Sequence, residues 1–175
     1  MPGAIDVVVV VDAETILATY SSPSIDPDAP TALSEDCCYL IAPAANTRRG
    51  LATAHLHLEV EDSLRLEWRS LSLSGAADAS AVIYTLHETS GGPVAQSGRP
   101  RELEQWIPVP ILVGGVNQDP PAFSAVAQMA YFLRTLAVGR RKDVFDVCFY
   151  ITQPDDYGRP VLAGYFRWSA ALTFH

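Results

Sequence analysis

The densest cluster of side chains able to do chemistry is His55-x-His57-x-Glu59-x-Glu61. In an extended strand alternate residues share a face, so these four would line one side, close enough for two or three to hold a divalent ion. A His-x-His followed by a glutamate resembles the first metal motif of cupins, which are β-sandwiches themselves. The rest of that pattern is missing. No glycine follows at the cupin distance, no second motif brings a third histidine, and His87 and His175 are the only other histidines. Leu56, Leu58 and Val60 alternate with the polar set, so the expectation is a solvated strand face over a buried one, with no metal and no cofactor.

Other constellations are weaker. Asp26, Asp28, Glu35 and Asp36 offer the oxygen donors that calcium prefers, but their order is not that of an EF-hand loop, which leaves an acidic polar loop. Asp12 and Glu14 would share a face if the first strand continued past Val11. Such a pair can serve as acid and base, yet nothing else suggests a hydrolase. There is no Gly-x-Ser-x-Gly elbow, no cysteine in a catalytic signature, and no lysine-bearing helix after Gly91-Gly92 or Gly114-Gly115. Trp106 and Tyr157 adjoin loops and are the best candidates for a small-ligand or carbohydrate stacking platform. No catalytic residue is assigned, and the expectation is a non-enzymatic protein.

The elements that would position these residues read as strands. Ile5 to Val11 is β-branched, as in a central strand buried on both faces. Ala18 to Asp36 carries three prolines and four acids and reads as a long functional loop. Leu51 to Glu61 alternates as a half-buried antiparallel strand. Leu64, Leu66 and Trp68 disagree in parity with Leu71 and Leu73, which a bulge near Arg69-Ser70 would reconcile. Val82 to Thr89 is the next strand. Leu103 to Val113 carries Pro108 and Pro110, which confine it to a sheet edge or irregular structure. Tyr131 to Val138 is taken as a strand, with a helical turn open to Ala125–Ala130 and Gly139 to Asp143 as the turn that follows. Val144–Thr152 and Val161–Thr173 flank Pro154-Asp155-Asp156-Tyr157-Gly158-Arg159-Pro160 and predict a hairpin. About eight to nine short strands with little helix define an all-β protein, an antiparallel, jelly-roll-like sandwich spanning residues 1–175 as one domain.

Composition sets the surroundings. A chain of 175 residues with 49% hydrophobic and 18% charged residues can build a core without disulfides or metal. Its net charge of −8 repels phosphate backbones, and Arg48-Arg49 and Arg140-Arg141-Lys142 read as solvated turns, so no nucleic-acid partner is expected. No apolar run approaches a membrane span, and no amino-terminal signal pattern is present. Cys37, Cys38 and Cys148 lack metal-ligand spacing and suit reduced thiols in a cytoplasm. Low charge and unpaired sheet edges predict a homo-oligomer, most simply a two-fold dimer.

The ordered segments Val9-Val10-Val11-Asp12-Ala13-Glu14-Thr15-Ile16-Leu17, Tyr39-Leu40-Ile41-Ala42-Pro43, Leu66-Glu67-Trp68-Arg69, Ser72-Leu73-Ser74-Gly75, Phe145-Asp146-Val147-Cys148-Phe149-Tyr150 and Gly164-Tyr165-Phe166-Arg167-Trp168 together resemble the AidA/PixA family. Those are bacterial proteins described as inclusion-body proteins or as quorum-sensing-dependent products. The resemblance implies a cytoplasmic β-sandwich acting by self-assembly or partner interaction, and it carries over no catalytic residue. The inclusion-forming branch is methionine-rich, whereas this chain has only Met1 and Met129. The resemblance therefore implies the quorum-sensing-linked branch rather than bulk storage.

Overall fold

A computed structural model describes residues 4–59, 63–74, 78–89, 99–113, 116–117, 123–138 and 142–175. Two sheets face each other. The first has the order β3 (Cys38–Ile41), β1 (Ala4–Val11), β6 (Ser63–Ser72), β11 (Phe123–Val138), β8 (Arg99–Pro110). The second runs β4 (Thr47–Arg49), β5 (His55–Leu58), β13 (Pro160–Phe174), β12 (Lys142–Pro154), β7 (Ser80–Glu88), with β2 (Thr31–Ala32) beside β13. A small ladder of β9 (Leu112–Val113) and β10 (Val116–Asn117) follows β8. The sandwich is as expected, but the sheets are mixed. β1 runs parallel to β6, and β13 runs parallel to both β5 and β2.

Alternation builds the core. Val7, Val9 and Val11 of β1, Leu66 and Trp68 of β6, and Leu133 of β11 meet Phe145, Val147, Phe149 and Ile151 of β12 and Phe166, Trp168 and Leu172 of β13. The rings of Trp68 and Phe145 lie 5.3 Å apart across the sheets. The Trp68 indole N–H donates to the Thr135 hydroxyl at 2.9 Å, so burying it leaves no unmet donor. β12 and β13 pair along their whole lengths from Lys142↔Thr173 to Pro154↔Pro160, the hairpin foreseen from sequence. Its turn is held by the Asp155 carboxylate, which accepts from the backbone N–H groups of Tyr157 and Arg159 and from the Arg159 guanidinium.

Several local expectations fail for identifiable reasons. β1 is buried on both faces only from Val9 to Val11; Asp6 is exposed and pairs with Arg69. The strand stops at Val11, where Asp12 caps helix α1 (Ala13–Thr19) by accepting from the Thr15 N–H, so Asp12 and Glu14 never share a strand face. β6 keeps one register with β1 throughout, without a bulge at Arg69-Ser70; Leu71 and Leu73 simply point to solvent. Phe123–Val138 is a strand from end to end, so the helical turn at Ala125–Ala130 does not form: β8 pairs with it over that whole stretch. Strand β5 covers only His55–Leu58, because Gly50, at φ +85°, turns the preceding chain tightly against it. A Cβ at Gly50 would lie 1.9 Å from the His55 carbonyl oxygen. The turn expected at Gly139–Asp143 falls mostly outside the described residues, as do both glycine pairs.

The β8–β11 ladder is longer than the sandwich. It continues from Arg134↔Arg99 to Phe123↔Pro110. Toward the body Leu133 and Thr135 are buried against the core. Beyond Tyr131 both strands emerge and Phe123–Met129 is exposed on both faces. The result is a two-stranded arm.

Candidate functional site

His55, His57 and Glu59, the described members of the metal constellation, are not grouped around a common point. His55 and His57 do share the outward face of β5, above buried Leu56 and Leu58. The strand then ends, and Glu59 swings to an ion pair with Arg48. Glu61 lies outside the described residues. His57 instead stacks on His175 with ring centroids 5.2 Å apart, and its Nδ1 lies 2.9 Å from His175 Nε2, one ring donating to the other. Burial first, then the charges of Arg49 and nearby histidines and Lys142, hold the His57 pKa below its usual value. Among the described residues no three histidine, cysteine or acidic side chains are grouped to hold a metal. The same holds for the acidic loop, where Asp26 is spent locally, accepting from the Asp28 N–H.

Trp106 and Tyr157 lie on separate hairpins. Trp106 is 68% exposed on the arm, and Tyr157 is 84% exposed on the β12–β13 turn, where the Arg159 guanidinium sits 5.2 Å from its ring centre. Trp106 belongs to the first sheet, and Tyr157 to the turn between two strands of the second.

What the fold does assemble was not expected from sequence. On the outer face of the second sheet, β7, β12 and β13 set His87, Asp146 and Ser169 in one cross-strand row and Thr85, Cys148 and Arg167 in the next. The pairing of β12 with β7 slips between Cys148 and Phe149, where Thr85 and then Ile83 are the partners. Tyr84 is the extra residue of this bulge, so Tyr84 and Thr85 both face outward, between buried Ile83 and Leu86. The Pro-rich loop arrives along the edge of β13 opposite β12, at residues that β5 does not reach. Ser24 bridges to Tyr165, β2 pairs at Phe166–Arg167, and Tyr84 Oη donates to the Pro27 carbonyl at 2.7 Å. Gly164 is needed here: a Cβ would lie 2.6 Å from the Pro23 ring. Loop and sheet enclose a solvent-open hollow of about 680 Å³.

Asp146 accepts from the Ser169 hydroxyl at 2.6 Å and has the Arg167 guanidinium at 3.7 Å. Burial pushes the Tyr84 hydroxyl up to about 12 and the Cys148 thiol up to about 11, with Asp146 adding to the latter, so both stay protonated near neutral pH. Cys38 is pushed up likewise by its burial. Neither Cys148 nor Cys38 is a ready nucleophile. The pair of Asp146 and Arg167, from adjacent rows, could have been suspected from sequence only as charges inside apolar, aromatic strands; the bulge beside it leaves no mark there.

The fold defines a two-sheet β-sandwich. A family model described as inclusion body protein, PixA, matches residues 3–174, and the chain belongs to that family. A search of curated proteins returned no match. Among solved structures, the inclusion body protein (PixA) of Burkholderia cenocepacia J2315 is similar with a TM-score of 0.79 at 18% identity, covering 99% of this chain and 97% of that one. No helix among the described residues is long and apolar enough to cross a membrane.

Proposed function

We propose that the protein acts by assembling with a second copy of itself through the β8–β11 arm, as a non-enzymatic member of the inclusion body family. The carrying observation is the arm's inner face. Tyr131, Met129, Ala127, Ala125 and Phe123 continue the face that presents Leu133 and Thr135 to the core, and Trp106 stands directly opposite Ala127. Met129 is 59% exposed and Phe123 69%, because the opposing sheet ends before it reaches them.

A two-stranded ladder with water on both faces is marginal by itself. Glu102 and Glu104 stand opposite Tyr131 and Met129 on this face, so its apolar part runs from Ala127 and Trp106 through Ala125 to Phe123, and exposed apolar surface of this kind marks an interaction site. The partner is argued to be another copy on two grounds. Pro100, Pro108 and Pro110 share one parity on β8, so three donors are missing from the same side of this edge strand, which disfavours strand addition by an extended peptide. A face-to-face contact remains, and a two-fold axis lets identical apolar faces cover each other. The family's printed description, inclusion body protein, fits a chain that meets its own kind.

Light scattering on the purified protein should give twice the chain mass over a tenfold dilution, with an interface of at least about 1,000 Å². The double variant Trp106→Glu/Met129→Glu should run at one chain mass with an unchanged melting temperature. A wild-type mass of one chain, or a variant that still pairs, refutes the reading.

A further inference from the structure

We infer that the hollow beneath the Pro-rich loop is a binding site for a neutral, polyhydroxylated ligand, a mono- or disaccharide. The inference stands apart from the assembly reading, since it concerns the other sheet and no arm residue.

The floor is built from neighbouring strands in fixed register. Asp146 and Arg167 line it from adjacent rows, with Cys148, directly opposite Arg167, as a small floor residue. A thiol at that position makes the floor low. It also stays neutral, so it adds no charge to the site. The β7 bulge turns Tyr84 outward beside Thr85, and bulges commonly re-aim side chains at functional sites. Tyr84 in turn ties the loop down as a roof through its bond to the Pro27 carbonyl. Its ring packs edge-on against Tyr165 at 5.5 Å, which fixes its plane. The wall is therefore rigid before any ligand arrives, and rigidity lowers the entropic cost of binding.

The chemistry of the lining selects the ligand. Asp146 supplies acceptors, and Arg167 supplies donors that its 3.7 Å approach to Asp146 leaves largely unused. Adjacent donor and acceptor groups suit adjacent hydroxyls, each of which both donates and accepts. Asp28 on the roof brings the lining to two carboxylates against one guanidinium. With a chain charge of −8, that balance disfavours phosphates, sulfates and carboxylates. Proline and tyrosine surfaces offer the apolar patches on which the C–H face of a sugar ring rests. A volume of about 680 Å³ is in the range of small-molecule sites and holds one or two such rings.

The test is saturation-transfer NMR on the full chain with glucose, galactose, mannose, N-acetylglucosamine and maltose, and with spermidine as a cationic control. Transfer to at least one sugar is expected. Arg167→Met should weaken it at least about tenfold, the worth of one hydrogen bond to a charged group. If Arg167→Met does not fold, Asp28→Ala and His87→Ala serve instead. Both alter exposed side chains at the hollow, and the two together should weaken sugar binding while melting stays unchanged. Transfer to no sugar, transfer that survives all three substitutions, or transfer to spermidine alone overturns the proposal. Because Trp106→Glu/Met129→Glu leaves this sheet untouched, sugar binding by that monomeric variant separates failure here from failure of the assembly reading.

Discussion

Trp68 and Trp106 are the same side chain on the two strands that flank β11 in one sheet, yet one is fully buried and the other is 68% exposed. The difference lies in what stands opposite. Trp68 faces Phe145 of the second sheet and finds Thr135 for its N–H, while Trp106 lies on the corresponding face of the arm, where it is exposed. Strand β11 runs through both regions. At its body end Phe132, on the outer face, is covered, lying beneath the guanidinium groups of Arg69 and Arg134, whose carbons sit 5.3 and 5.5 Å from the ring centre. Those arginines are themselves held by Glu67 and Asp6. Val126 and Met129, a few residues earlier, remain exposed. An apolar strand is therefore core or interface according to whether another layer reaches it.

The largest expected effect tests the body. Trp68→Ala should cost about 3–5 kcal/mol by loss of buried contacts and the cavity left behind. Trp106→Ala, measured at concentrations where the protein is monomeric, should stay within about 0.5 kcal/mol. Denaturant melts of the two variants side by side read the contrast directly, and equal losses would erase it.

The second effect is one of dynamics. In dilute protein the amides of Val126–Met129 should exchange with solvent far faster than those of Leu133–Leu136, because a two-sided exposed ladder opens locally at low cost. Raising the concentration should slow the arm and leave the body unchanged. Protection that is uniform along β11 in the monomer would show the arm to be an ordinary part of the core.

The smallest effect concerns the β5 edge, far from the arm in the pairing order of the strands. The folded-state pKa of His57 is lowered, so its contribution to stability is present above the unfolded value of about 6.5 and declines as pH falls through it. Arg49, His175, His55 and Lys142 all act in that direction. His57→Gln should flatten the stability profile between about pH 5 and 7. A profile unchanged by this substitution would remove the histidine pair from the account.

Much of the architecture was legible in the chain. Alternation at His55 to Leu58, the Pro-Asp-Gly cluster between Val144–Thr152 and Val161–Thr173, and the prolines of Leu103–Val113 each mark local conformational preferences that packing did not override. The same local logic failed where two states were close in energy. Asp12 could continue a strand or cap a helix, and the cap prevailed because Ala13 and Ile16 had a core to enter. Ala125–Ala130 has small residues compatible with either form, and the long ladder with β8 decided for strand.

The candidate site shows the division most sharply. Residue types in sequence determined a β-rich chain, an acidic surface, an aromatic core and the absence of a recognisable catalytic signature. They could not show that Asp28 would lie across from Asp146 and Arg167, since these are brought together by cross-strand register and by a loop crossing three strands. Nor could they show which apolar residues lack a facing layer. Periodicity reports the face on which a side chain lies, because it follows from local backbone geometry. Whether anything stands opposite depends on the length and placement of a second sheet, a non-local property that only the tertiary structure decided.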